Sequence, residues 1–128
     1  MALTQIVNDG LGASLTATSE GGAVTTSIQQ GIAKSWINFN GTGTIASRDS
    51  FSVSSISDTG TGETLITFSN AFNSADYVLN YTNGWGAATD WTALAPTTTA
   101  ARVQAYESTT GNNTDRTYNL VAVHGDLA

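Results

Sequence analysis

Residues 34–81, KSWINFNGTGTIASRDSFSVSSISDTGTGETLITFSNAFNSADYVLNY, decide the fold. Runs rich in aromatic and β-branched residues alternate there with clusters of Gly, Asn, Asp and Ser, the punctuation of short antiparallel strands. Lys34 to Asn40 alternates almost strictly, with Ser35, Ile37 and Phe39 on one face and Lys34, Trp36 and Asn38 on the other. Trp36 therefore calls for a second covering layer, supplied by the N-terminal segment, another sheet or a partner chain. Asn40-Gly41 and the cluster Asp58 to Gly62 contain residues that tolerate positive φ, as tight connections between antiparallel strands require. Phe51 and Val53 alternate with serines until Ile56 falls out of phase, the mark of a bulge or a break. Leu65, Ile66 and Phe68 make Glu63 to Ser69 apolar on both faces, which predicts a strand buried on both sides at the centre of the domain. A loop holding Phe72 leads to a strand with Tyr77, Leu79 and Tyr81. The whole stretch reads as a β meander.

Working outward, residues 1–22 place Leu3, Ile6, Val7, Leu11 and Leu15 at near-helical spacing, but Gly10, Gly12 and Gly21-Gly22 interrupt any long helix. This segment reads as an N-terminal arm for attachment or oligomerisation, or as a terminus packed on its own domain. Residues 23–128 read as a single β domain, beginning with a strand over Ala23 to Gln29. After residue 81, Trp91 to Leu94 is a further short strand stopped by Pro96, the only proline. Strands over Arg102 to Glu107 and Arg116 to His124 follow, separated by a polar loop with Gly111-Asn112-Asn113 at its tip. The fold class is all-β: an antiparallel β-sandwich or jelly-roll-like domain of about seven to nine short strands.

Composition narrows the function classes. Charged residues are only 11% of the chain, and 34 of its 128 residues are Thr or Ser, so the surface is mainly uncharged, hydroxyl-rich and suited to strands. Lys34, Arg48, Arg102 and Arg116 face ten acids, for a net charge of −6. That balance excludes a phosphate-backbone partner and an anionic membrane surface. With no cysteine there is no disulfide and no thiolate metal site. The start of the chain lacks the basic region of a secretory leader, and no apolar run approaches the ~20 residues of a membrane span. The expectation is a protein assembled in a cytoplasm, without membrane insertion.

Candidate chemistry is sparse. Asp58-Thr59-Gly60 matches the triplet of aspartic proteases, but Ser55, Ser57 and a second Thr-Gly surround it where an apolar lead-in should hold such a loop, so it reads as a turn. His124 is the only histidine and has no second His or Cys to complete a metal shell. Asp49, Asp58, Glu63, Asp76, Asp90, Glu107 and Asp115 could include a glycosidase pair, yet most adjoin turns. No catalytic, cofactor or metal residue is assigned. Outward recognition is assigned to the second-half loops, with Trp85, Asp90, Trp91, Tyr106, Asn112 and Asn113 as the candidates, because aromatic faces flanked by amides and carboxylates suit a sugar ring.

The blocks GIAKSWINFNGTGT (31–44), RDSFSVSSISDTGTGE (48–63) and NSADYVLNY (73–81) together resemble a β module of tailed-bacteriophage virion proteins, often found at the distal ends of tail fibres. The resemblance implies a non-enzymatic structural protein on the surface of a phage particle, of tail-fibre, head-fibre or capsid-decoration type. It implies a homotrimer, contacts with capsid or tail proteins, and a host-surface glycan or envelope protein as the recognised partner. The competing class is an enzyme, either a glycan depolymerase or a protease using Asp58.

Overall fold

The structure is a computed structural model that describes residues 16–18, 25–83 and 95–128. The chain divides into two compact units, Met1–Ile32 and Ala33–Ala128. In the first, β1 (Thr16–Thr18) pairs antiparallel with β2 (Thr25–Ser27), and one helical turn, α1 (Ile28–Gly31), follows directly. The arm residues Leu3, Ile6, Val7, Leu11 and Leu15 lie outside the described residues.

The second unit is a sandwich of seven antiparallel strands. They are β3 (Ser35–Asn40), β4 (Ala46–Phe51), β5 (Val53–Gly60), β6 (Glu63–Phe68), β7 (Val78–Asn83), β8 (Ala100–Gln104) and β9 (Asn119–His124). One sheet has the order β4-β3-β9-β7 and the other β5-β6-β8. Period-two alternation turns one face of each strand inward: Ile37 and Phe39 from β3, Leu79 from β7, Val121 and Val123 from β9, against Ile66 and Phe68 from β6 and Ala101 and Val103 from β8. Removing a side chain of this size from water is worth about 1.5–3 kcal/mol, so this single layer holds the two sheets together.

The meander expected from residues 34–81 does not form. Within this unit only the hairpins β3-β4 and β5-β6 join neighbours in sequence, while the chain changes sheet between β4 and β5 and again between β6 and β7. The last strand, β9, fits between β3 and β7. A flat meander would leave the apolar faces of β3 and β6 in water; folding it over buries both. The first change of sheet is made at Ser52, whose φ of 57° is the only positive value among the described non-glycine residues. Ser35 fixes this corner, its hydroxyl 3.3 Å from the carbonyl oxygens of both Phe51 and Ser52.

β6 is the middle strand of its sheet, as the sequence predicts. It is not buried on both sides, however. Thr64, Ile66 and Phe68 face the core, while Glu63, Leu65 and Thr67 on the other face stay half-covered because no layer lies over that sheet among the described residues of this unit. The phase slip predicted near Ile56 is present as a register shift between Val53 and Ser55.

One end of the core is aromatic. Phe68 meets Phe72 and Tyr77 edge-on, with ring centroids 5.0 and 5.6 Å apart, and Phe72 lies 4.7 Å from Tyr77. The Tyr77 hydroxyl donates to the carbonyl oxygens of Thr97 and Ala100, at 3.1 and 3.0 Å, which ties the approach to β8 onto this cluster. Burial pushes the Tyr77 phenol up to about 12, since the phenolate has lost its water.

Candidate functional site

The outward face of the four-stranded sheet carries the candidate site. Cross-strand pairing aligns two rows of outward side chains: Phe51, Trp36, Ala122 and Asn80, and beside it Asp49, Asn38, Leu120 and Thr82. Each row crosses all four strands. Trp36, Leu120, Phe51 and Val78 on this face are 37, 44, 54 and 61% exposed, far above what aromatic and aliphatic side chains of these strands show on the core side. The layer expected over Trp36 is not provided by the other sheet, which packs on the opposite face.

A groove of about 500 Å³ runs along these rows, lined by Trp36, Asn38, Asp49, Asn80, Thr82, Leu120 and Ala122, with Ile37, Tyr81 and Val121 of the same strands completing its floor. Its shape follows from side-chain size. Ala122 is a methyl group between the Trp36 indole on one side and the Asn80 amide on the other, so the face dips at this position of β9, with the larger Leu120 of the same strand beside it. At ~4.8 Å between strands, β7 and β3 stand about 10 Å apart, one ring's width across.

The rim at the β4 side is set by a bulge. Asn38 pairs with Asp49 but Phe39 pairs with Ser47, which leaves Arg48 as the extra residue. The bulge turns the Arg48 side chain onto the Tyr118 ring, 4.4 Å from guanidinium carbon to centroid, and leaves a guanidinium nitrogen 3.5 Å from Asn38 Oδ1. Arg48 and Asp49 thus part company: Asp49 accepts the Ser50 amide at 2.8 Å. Beneath the groove, the Tyr81 hydroxyl donates to Asn119 Oδ1 at 2.7 Å, Asn83 approaches the same hydroxyl at 3.4 Å, and Asn119 donates to the Arg116 carbonyl at 2.7 Å. Burial raises the Tyr81 phenol, opposed by the Asn83 hydrogen bond and the Arg116 charge. These buried amides lock β7 and β9 in register under the site.

Of the loop candidates, Tyr106, Asn112 and Asn113 lie away from this groove. Trp85, Asp90 and Trp91 lie outside the described residues. Tyr106 and Asn113 form an isolated bridge, the Tyr106 hydroxyl donates to the Gln104 amide oxygen, and Asn113 donates to Glu63 at 3.4 Å. The backbone of Asn112 accepts from the Glu107 amide at 2.8 Å. These contacts bind the loop to itself and to β6 and β8. The groove was less legible, because its residues come from β3, β7 and β9, some forty residues apart in sequence, and only register brings them together.

Asp58 is exposed at the end of β5, where it accepts the Gly60 amide at 3.0 Å, as a turn-forming aspartate does. Asp58, Glu63 and Asp115 do line a common crevice with Arg116 and Asn119, but its volume is about 10 Å³, room for a single water. Asp115 there accepts the Gly62 amide at 2.6 Å, and Glu63 meets Arg102 at 3.9 Å. His124 ends β9, half-buried, opposite Val78. Among the described residues no group of three or more His, Asp or Glu is placed to hold a metal ion, and no helix there is long and apolar enough to cross a membrane.

Comparison with known proteins adds no relative: no family model, no curated protein and no solved structure matches the chain.

Proposed function

We propose that this chain is a non-enzymatic structural protein of a tailed-phage virion, displayed on the particle surface, whose sandwich presents the outward face of its four-stranded sheet for recognition. The observation that carries the recognition role is the groove: a rigid sheet holds an exposed tryptophan, aliphatic side chains and amides in register on a face that no other described residue of this unit covers. The three carboxylates that share a crevice enclose space for one water and are engaged by backbone amides or an arginine, an arrangement suited to closing turns and ill-suited to admitting a sugar or a peptide. The phage assignment is supported by the resemblance of residues 31–81 to tail-fibre modules. Attachment to capsid or tail proteins through residues 1–22, and association as a homotrimer, belong to the same proposal.

The test is location. Antibody labelling of purified particles, with mass spectrometry of their proteins, should find this chain on the head or tail surface, and deletion of residues 2–22 should abolish incorporation while circular dichroism still reports a folded β domain. Absence from purified particles would refute the virion reading, and hydrolysis of a glycan or peptide by the purified protein would refute the non-enzymatic one.

A further inference from the structure

We infer that the groove is a binding site for a short stretch of neutral glycan, with Trp36 as its stacking platform and the amides of Asn38 and Asn80 and the hydroxyl of Thr82 as its hydrogen-bonding wall. This deepens the recognition role proposed above and rests on it.

Three features select that ligand class. The first is charge: Asp49 is the only acidic or basic side chain among the lining residues and the Arg48 guanidinium stands at the rim, 3.5 Å from Asn38 Oδ1, so one acid is offset by one base and the site offers a ligand mainly neutral amides and a hydroxyl. The second is the mixture of surfaces. A pyranose has an apolar C–H face and a rim of hydroxyls, and the groove sets an indole wall across a small Ala122 floor from an amide wall, about one ring apart. The third is rigidity. All of these side chains stand on paired strands of one sheet whose register is locked from beneath by Tyr81 and Asn119, so little ordering is needed on binding.

A second copy of the chain fits less well. A two-fold contact places groove against groove and leaves a void where packing should be. A ring contact needs an apolar ridge elsewhere on the unit to fill the trough. The outward face of the three-stranded sheet, with Ser55 beside Thr67 and with Ser57, Leu65 and Arg102 in a row, is hydroxyl-rich and provides none.

The full chain is screened on an array of neutral and acidic bacterial oligosaccharides, and a bound neutral compound is titrated calorimetrically into the parent protein and into Trp36→Ala, Asn80→Ala and Tyr106→Ala. Binding to at least one neutral oligosaccharide is expected, weakened about tenfold or more by Trp36→Ala, by a smaller factor by Asn80→Ala, and unchanged by Tyr106→Ala. Circular dichroism and sedimentation velocity accompany each variant. No binding to any neutral oligosaccharide, preference for acidic ones, or equal binding by Trp36→Ala would overturn the assignment. So would a change of oligomeric state in Trp36→Ala, which would make the face a subunit contact. Groove binding by a protein absent from virions would refute only the virion reading, whereas cleavage of the bound glycan would refute only the non-enzymatic one.

Discussion

Gly62 tests the packing logic of the sandwich more sharply than any core residue. It sits in the two-residue turn of the β5-β6 hairpin with φ of +71°, and a Cβ there would lie 2.6 Å from the Ala105 carbonyl oxygen and 2.7 and 3.0 Å from the Thr114 amide nitrogen and carbonyl oxygen. All three are backbone atoms, which cannot swing aside. The same spot accepts the Ala105 amide at 2.8 Å and donates to Asp115 at 2.6 Å. Gly43 provides the control, with an almost equal φ of +65° and nothing within 4 Å of its would-be Cβ. Replacing either by Ala costs the left-handed backbone penalty, about 1–2 kcal/mol. Gly62→Ala adds about 1–3 kcal/mol of overpacking and weakens one or two hydrogen bonds worth about 0.5–1.5 kcal/mol each, so it should exceed Gly43→Ala by roughly 2–4 kcal/mol. In urea, with a slope of about 1.5 kcal/mol per M, the two midpoints should differ by about 2 M at unchanged slope. If Gly62→Ala costs no more than Gly43→Ala, the close approach of residues 105–115 to this turn is wrong.

Phe39 and Trp36 lie on opposite faces of β3, so their truncation should differ in kind: Phe39→Ala should cost about 3–5 kcal/mol in urea melts, and Trp36→Ala less than about 1.5 kcal/mol. A large loss from Trp36→Ala would mean that its face is covered. The Tyr77 phenol stands at about 12 in the folded protein against the ordinary 10, so the unfolded chain releases its proton first as pH rises. Stability is therefore intact below pH ~10 and should fall between pH ~10 and ~12 by at most about 2.7 kcal/mol, less where water reaches the ring edge. Urea midpoints across that range should show the decline, and Tyr77→Phe should reduce it, leaving the share due to the buried Tyr81; an identical decline in the variant would refute the assignment. Asp58→Ala removes an exposed turn acceptor, so it should cost no more than about 1.5 kcal/mol and leave particle infectivity unchanged. Loss of infectivity with intact folding would revive a reactive role for this carboxylate.

The sequence by itself determined the strands and their faces. Period-two alternation marked Ile37 and Phe39 as core and set Trp36 and Asn38 opposite them, and glycine placed the β5-β6 turn, because these are properties of neighbouring residues along one chain. It also determined that no cysteine chemistry operates and that charge is scarce. Which strands became neighbours was decided only by the tertiary structure. Local pattern favours pairing each strand with the next, but burying the apolar faces of both β3 and β6 required the chain to leave its sheet at Ser52 and required β9 to return between β3 and β7. The groove exists only as a product of that pairing: Trp36, Asn80 and Ala122 carry no shared signal along the chain, and hydrogen-bond register alone sets an indole, a methyl and an amide side by side.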